Sequence, residues 1–494
     1  MGGIQTADPT IASTALVESA RALQMDAGLQ AIAASVSTLM LAATVISTGL
    51  LADRIGRRLL LVLALALSAL GDLIVAAAVD PSLFLLGRAL AGIGLGAVYG
   101  ASFAYIRAVV KADRIAAAMG SFAAFNAVSM IVVSFVGGSL ASVDWRLAFL
   151  AVPAVTLLSI VAVAFVLPKQ PRTASGPADV LGQILLALGI IGVLYGVSHA
   201  GEGVTSPLTW APLVLGIVLL ALFALVERRG THPFFPMQLF RNPGFLAAIG
   251  MGIAFNLAQA VGILQLANIW QYVYGFSTVE VSLGQLPVTV ISVAASIYIG
   301  RRLSAGLSPA TAIMISGGAT VLGFLAFALI LISHEFWFFL PGMLLIGFGM
   351  SGLVPYGALV LRLAPPAQFG AVTSSRTTIG QFGYAVGLSA SMVLVDALTR
   401  GGVIHRLKDA GVTPARYGEA LDAIYAYTQN GTVPSGSNGT ALLQGAAASY
   451  EVAFVTTMVV TAAIVGVLSA LTIIAYRRFE KTLAAAASSS TDPA

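Results

Sequence analysis

Thirteen runs of roughly twenty mostly apolar residues, separated by short polar loops, constrain this chain more than any other feature of it. They lie near 29–51, 59–79, 82–106, 115–140, 146–167, 179–199, 210–226, 246–272, 280–299, 310–332, 336–361, 370–397 and 450–476. Rich in Leu, Ala, Val and Ile and without period-2 alternation, they read as helices rather than barrel strands. With 58% hydrophobic and only 9% charged residues, no soluble core could hide the apolar surface. The bilayer must therefore be the solvent, and the fold class is an all-α polytopic membrane protein.

Residues 2–20, GGIQTADPTIASTALVESA, are short and polar for a span, yet without a span there the loop charges fall on inconsistent sides. The expectation is a first span, short or lacking its amino-terminal half, which makes fourteen. With both termini cytoplasmic, inner loops then collect 17 of the 25 basic residues and outer segments 6, as the positive-inside rule requires. No signal peptide precedes the first span, so the mature chain is expected to begin inside, in a bacterial inner (plasma) membrane. The one long hydrophilic segment, 398–449, falls outside. Its centre, TPARYGEALDAIYAYT, has a Thr/Pro start and helical spacing, so a short surface helix is predicted there. The sequons at Asn430 and Asn438 are read as chance.

Cysteine is absent, and His199, His232, His334 and His405 form no i, i+4 pair, so neither disulfides nor a metal centre is expected. The +5 formal charge resides in loops where topology explains it, which argues against a nucleic-acid partner. No HExxH or serine-lysine signature lies in a span, so no enzymatic activity and no catalytic residue is expected. No phosphate-cradling Walker loop occurs either.

Several short stretches carry more specific information. Between spans 2 and 3 lies GLLADRIGRRLLL, Gly49 to Leu61, with Asp53, Arg54, Gly56 and Arg57. Span 4 contains Arg88-Ala-Leu-Ala-Gly92-Ile-Gly94-Leu-Gly96-Ala97, a buried arginine ahead of a small-residue packing face. Arg88 lies about 9 Å below the outer surface and must face a partner or a watery cavity. To these are added Gly137-Gly138 followed by Trp145-Arg146-Leu147-Ala148-Phe149 and Pro153, the run His232-Pro233-Phe234-Phe235-Pro236-Met237-Gln238-Leu239-Phe240-Arg241-Asn242, and Asp8-Pro9-Thr10-Ile11 with Ala15-Leu16.

Together these stretches resemble the major facilitator superfamily, and within it the fourteen-span drug:proton antiporters of the multidrug efflux type. The resemblance covers nearly the whole chain. It implies two six-helix bundles, 1–167 and 243–494, joined through two inserted spans and an inner linker loop, 168–242, with a substrate path between the bundles near the midplane. It implies proton-coupled export of amphipathic or lipophilic small molecules by alternating access, with the proton gradient in place of a cofactor, and a monomer whose partners are its substrate and membrane lipids. In that family the loop from Asp53 to Arg57 locks one bundle against the other, and the arginine at position 88 lines the central cavity. Departures are visible: Val133-Ser134 stands where the family usually carries Gly-Pro in span 5, Val17-Glu18 where it tends to have proline, and Pro9 is unusual beside the acid.

Polar residues inside spans are the remaining candidates. Asp8 lies about 18 Å below the outer surface, where an acid can bind a proton; the alternative is a first-turn cap. Asp72, at about the depth of Arg88, either joins the proton pathway or neutralises Arg88 in a structural pair. In span 9, Asn256, Gln259, Gln265, Asn268 and Gln271 are taken to share mostly one face. They serve either as interhelical glue or, with Trp270, as the lining of a substrate cavity. For Arg376 in span 13, the resemblance implies a latch to Asp53 across the bundles; the alternative is that it snorkels to inner headgroups. Two readings rival multidrug export: a lipid or specific-metabolite exporter of the same fold, and a non-transporting receptor or scaffold.

Overall fold

The computed structural model describes residues 2–109, 115–168, 179–200, 206–230, 240, 242–333, 335–362, 369–430 and 439–489. Among them no strand occurs. The first half comprises α1 (Gly2–Ala22), α2 (Ala27–Ile55), α3 (Arg57–Ala76), α4 (Pro81–Val109), α5 (Ile115–Ala141), the single turn α6 (Trp145–Ala148) and α7 (Ala151–Val166). Between the two halves run α8 (Val180–Ser198) and α9 (Pro207–Arg229). The second half comprises α10 (Pro243–Tyr272), α11 (Thr278–Gly284), α12 (Leu286–Ser304), α13 (Pro309–Ala326), α14 (Leu340–Gly349), α15 (Leu353–Arg362), α16 (Phe369–Asp409), α17 (Tyr417–Asn430) and α18 (Gly439–Ser489).

Eleven helical stretches of the described residues are long and apolar enough to cross a membrane, and two shorter apolar ones, Val128–Ala141 and Leu181–Val197, stand at the fifth and seventh expected spans. Large apolar side chains point outward: Leu158 and Phe165 on α7, Trp210 and Leu215 on α9 are all half or more exposed. Such a surface is stable only against hydrocarbon.

The helix at the expected first span is longer than expected. α1 runs for 21 residues, about 31 Å at 1.5 Å per residue, a full membrane thickness. Its modest hydropathy has a packing reason. It lies against α2, α4, α5 and α10, and Ile4, Ala7, Asp8, Ile11, Ala15 and Leu16 are all buried in protein.

Glycines set the distances in the first half. A Cβ on Gly92 would overlap the Ser37 carbonyl of α2, and one on Gly94 would overlap the backbone at Ser68 of α3. α4 is thus wedged between α2 and α3, and Arg88, one turn before Gly92 on the same face, is carried into that wedge. At Gly56, φ is +102°. This conformation, costly for any residue with a Cβ, ends α2 and starts α3 without a longer loop.

The halves meet along α2–α16, α1–α10 and α5–α11. α8 lies against both α2 and α16, covering one seam, while α9 packs on α8. Of the interruptions in expected single helices, two have a proline beside them. Span 10 breaks between α11 and α12 at Gln285, and span 12 passes through a 3₁₀ turn, Met350–Gly352, between α14 and α15. Pro287 and Pro355 have no N–H to offer the carbonyls of Leu283 and Ser351, so each break has a local cause. The predicted surface helix is present as α17. Its flanking helices differ from the sequence boundaries: α16 continues past the apolar run to Asp409, held by ion pairs such as Arg400–Asp396 at 2.9 Å. Hydropathy marks the membrane edge, whereas the backbone ladder continues as long as it is solvated.

Candidate functional site

Four helices of the first half converge on one buried charge cluster. Arg88 of α4 donates from Nη1 to Asp8 Oδ1 at 2.6 Å and from Nη2 to Asp8 Oδ2 at 3.0 Å. Ser37 of α2 donates to the same carboxylate at 3.1 Å. Asp72 of α3 places Oδ1 3.6 Å from Arg88 Nη1, and its carboxyl adjoins that of Asp8. Exposure is 1% for Arg88 and 0% for both acids, so water does not screen them. Phe149 covers the guanidinium, 5.5 Å from its ring centre, and Phe84 packs edge-on against Phe149.

The two acids are not equivalent. Asp8 accepts two bonds from Arg88 and one from the Ser37 hydroxyl. Neither oxygen of Asp72 accepts a hydrogen bond from any described donor. Two carboxylates on one guanidinium carry a net charge of −1, and one bound proton makes the cluster neutral. In a dry interior, neutrality is strongly favoured.

A cavity lies on the other side of α1. Its walls are Gln5, Pro9, Thr10 and Thr14 of α1 with Ile131, Ser134 and Phe135 of α5, faced by Asn256 and Gln259 of α10, Gln285, Thr289 and Ser292 at the α11–α12 break, Met350, and Gln381 and Tyr384 of α16. Its volume is about 110 Å³, room for several waters. Neither Asp8 nor Arg88 lines it. α1 is therefore a wall one helix thick, with the charge cluster behind it and the cavity in front. Pro9, which leaves the Gln5 carbonyl without its helical donor, sits in that wall beside Asp8.

The span-9 residues divide. Asn256 and Gln259 line the cavity. Gln265 donates to Ser391 Oγ at 3.0 Å and Asn268 to Met392 Sδ at 3.1 Å, both on α16, so these two face a packed helix. Trp270 is fully buried among Phe276, Phe336 and Phe339, and Gln271 bonds back to the Ala267 carbonyl at 3.3 Å. At 100° per residue a spacing of three falls about 60° short of a turn, so a period-3 stripe winds around the helix instead of keeping to one face.

Of the gating candidates, Gly56 and Arg57 form the α2–α3 junction, and Arg58 donates to the Ala164 carbonyl of α7. The side chains of Asp53 and Arg54 lie outside the described residues, as do 231–239 and 241 of the His232–Asn242 motif. Arg376 stacks over the Tyr356 ring at 5.2 Å, while the Tyr356 hydroxyl donates to the Arg376 carbonyl at 3.4 Å. At the far end of the molecule, Tyr272 of α10 donates to Gln30 Oε1 of α2 at 3.1 Å, a bond between the halves. Gln5, Gln285, Gln381 and Tyr384 escaped the sequence reading. Their one signal was polarity inside an apolar run, which did not separate them from packing residues.

This arrangement of helix bundles around a polar central cavity is that of a membrane transporter. A family model described as Major Facilitator Superfamily matches residues 2–388, and the chain belongs to that superfamily. It is 27% identical over 428 residues to the puromycin resistance protein pur8 of Streptomyces alboniger, covering 83% of this chain and 82% of that one. It is 26% identical over 480 residues to the multidrug efflux pump LfrA of Mycolicibacterium smegmatis, with 95% and 93% coverage. A solved bacterial homolog of the human lysosomal transporter Spinster shares its fold, with a TM-score of 0.68 at 15% identity over 97% of this chain and 95% of that one.

Proposed function

We propose that the chain is a proton-coupled exporter of amphipathic or lipophilic small molecules, working by alternating access in a bacterial inner membrane. It acts as a monomer with fourteen crossings and both termini cytoplasmic, and its bundles are 1–167 and 243–494 with 168–242 between them. The observation that carries this reading is the pair of carboxyls on one guanidinium, sealed behind the helix that walls the cavity. Holding or releasing one proton changes the cluster between neutral and −1, and α1 transmits that change to the substrate side. A scaffold has no use for such a cluster, nor for a polar cavity between its halves. Multidrug relatives support amphipathic cargo over a single metabolite.

The test is a proteoliposome assay with a pH-sensitive dye inside and a panel of lipophilic compounds outside. Compounds that are cargo should drive proton movement in the opposite direction and collapse an imposed pH gradient. Transport that proceeds at the same rate with and without the gradient would remove proton coupling.

A second expectation concerns the gate. Gln30 and Asp53 lie on α2 23 residues apart, about 35 Å, hence at opposite membrane faces. The Tyr272–Gln30 bond closes the face proposed as external. When that face opens, Asp53 closes on Arg376 as an inner latch, releasing Arg376 from Tyr356. Asp53→Cys with Arg376→Cys, placed in this cysteine-free chain, should cross-link freely, and should fail to do so once a Gln30→Cys/Tyr272→Cys bridge has been formed. Cross-linking indifferent to that bridge, or absent altogether, leaves Arg376 as a headgroup anchor.

A further inference from the structure

We infer that the cavity selects uncharged, hydrogen-bonding amphiphiles and discriminates against permanent cations. This deepens the export reading and rests on it. The polar groups come from both halves: Gln5, Thr10 and Ser134 on one wall, Asn256, Gln259 and Gln381 on the other. Between them lie apolar side chains such as Ile131, Phe135, Ile263 and Leu286, so an occupant must present both kinds of surface. Among the described lining residues there is no Asp, Glu, Lys, Arg or His.

Charge decides the class of ligand. A cation entering such a site loses hydration and meets only neutral dipoles, whereas a hydroxyl or amide exchanges its water bonds for side-chain bonds at little loss. The acid nearest in sequence, Asp8, offers no help. Its side chain lies on the far face of α1 with both oxygens committed to Arg88. Among the described lining residues Phe135 and Tyr384 are aromatic, too few for an aromatic cage around a cation.

The site also has unmet hydrogen-bonding capacity. Gln5 is 3% exposed, and its Oε1 has no partner among the described residues; the buried Oγ of Ser134 has none either. Both belong to cavity-lining residues on adjacent helices. A turn of either side chain toward the cavity would let a hydroxyl- or amide-bearing ligand satisfy it. The amides opposite both donate and accept, so different neutral ligands can be bonded without a fixed pattern.

The experiment measures equilibrium binding to the full chain in nanodiscs at pH 8 with no gradient, so it reads selectivity whether or not transport is coupled to protons. The probes are two dansyl sulfonamides of matched size, one ending in a hydroxyl and one in a trimethylammonium group. The expected result is at least tenfold tighter binding of the hydroxyl probe. Gln259→Glu, and separately Gln381→Glu, should shift the ratio of the two affinities at least tenfold toward the cation, because each supplies the missing counter-charge. Equal affinity of the two probes, tighter binding of the cation, no binding of the hydroxyl probe, or a ratio unmoved in folded Glu variants would each overturn the inference. If neither variant folds, the ratio in the unmodified chain decides alone.

Discussion

A chain carrying Asp8→Asn should insert, fold and bind its compounds, yet fail to export them against a pH gradient. With both acids deprotonated, the cluster of Asp8, Asp72 and Arg88 carries −1, and it takes up one proton to become neutral. Once the first of these acids is an amide, the remaining Asp72 and Arg88 already sum to zero, so the variant has nothing to gain from a proton and nothing to release. One pH unit is worth 1.36 kcal/mol per proton, which sustains about a tenfold concentration ratio for one-to-one exchange. The variant should sustain none, although downhill equilibration persists because the cavity is untouched. The amide oxygen still accepts from Ser37 and Arg88 Nη2 while the amide NH2 faces Nη1, and Asp72 still balances the guanidinium, so the variant should fold with some loss of stability. The measurement is accumulation in vesicles with and without an imposed gradient. Full gradient-driven accumulation by the variant would eliminate Asp8 as a coupling acid and leave Asp72 or Glu18 to be tested.

The second large effect is on stability. Arg88→Leu removes the one cation that holds two buried acids together, and removal of one partner from a buried ion pair costs about 3–5 kcal/mol. Arg88 is 1% exposed and fills the wedge between α2, α3 and α4, so no water can replace it. The unfolding midpoint in detergent should fall well below that of the parent chain. Adding Asp8→Asn and Asp72→Asn to Arg88→Leu should restore most of the loss, because no charge then remains to be neutralised, while gradient-driven export stays at background. If Arg88→Leu is as stable as the parent, the cluster is not the closed electrostatic unit described above. If the charge-free triple variant still couples to the gradient, the proton site lies elsewhere.

Much of this molecule was legible in the sequence. A run of twenty apolar residues admits one outcome in hydrocarbon, so the places of the apolar helices after α1, apart from their interruptions, follow from hydropathy, backbone satisfaction and loop charge. The loop Asp53–Arg58 and the Arg88–Gly96 stretch carried the superfamily, because close helix packing tolerates only glycine at Gly92 and Gly94. α1 was harder to read. A helix enclosed by protein need not be apolar, and hydropathy therefore underrates it. The interruptions at Gln285 and Met350–Gly352 have proline causes visible in the sequence, but whether proline kinks, breaks or is absorbed depends on neighbouring helices.

The sequence by itself determined that polar and charged groups lie inside the membrane and named them: Asp8, Asp72, Arg88, Asn256, Gln259, Asn268. Only the tertiary structure decided which of them meet. Asp8 and Arg88 are 80 residues apart and come within 2.6 Å because four helices cross at that point. Asn256 and Asn268 share a helix, yet one faces the cavity and the other α16. The physical reason is rotational. Apolarity all round a buried helix leaves its rotation about its own axis unmarked, and a turn of 100°, one residue's worth, exchanges a cavity wall for a packing surface.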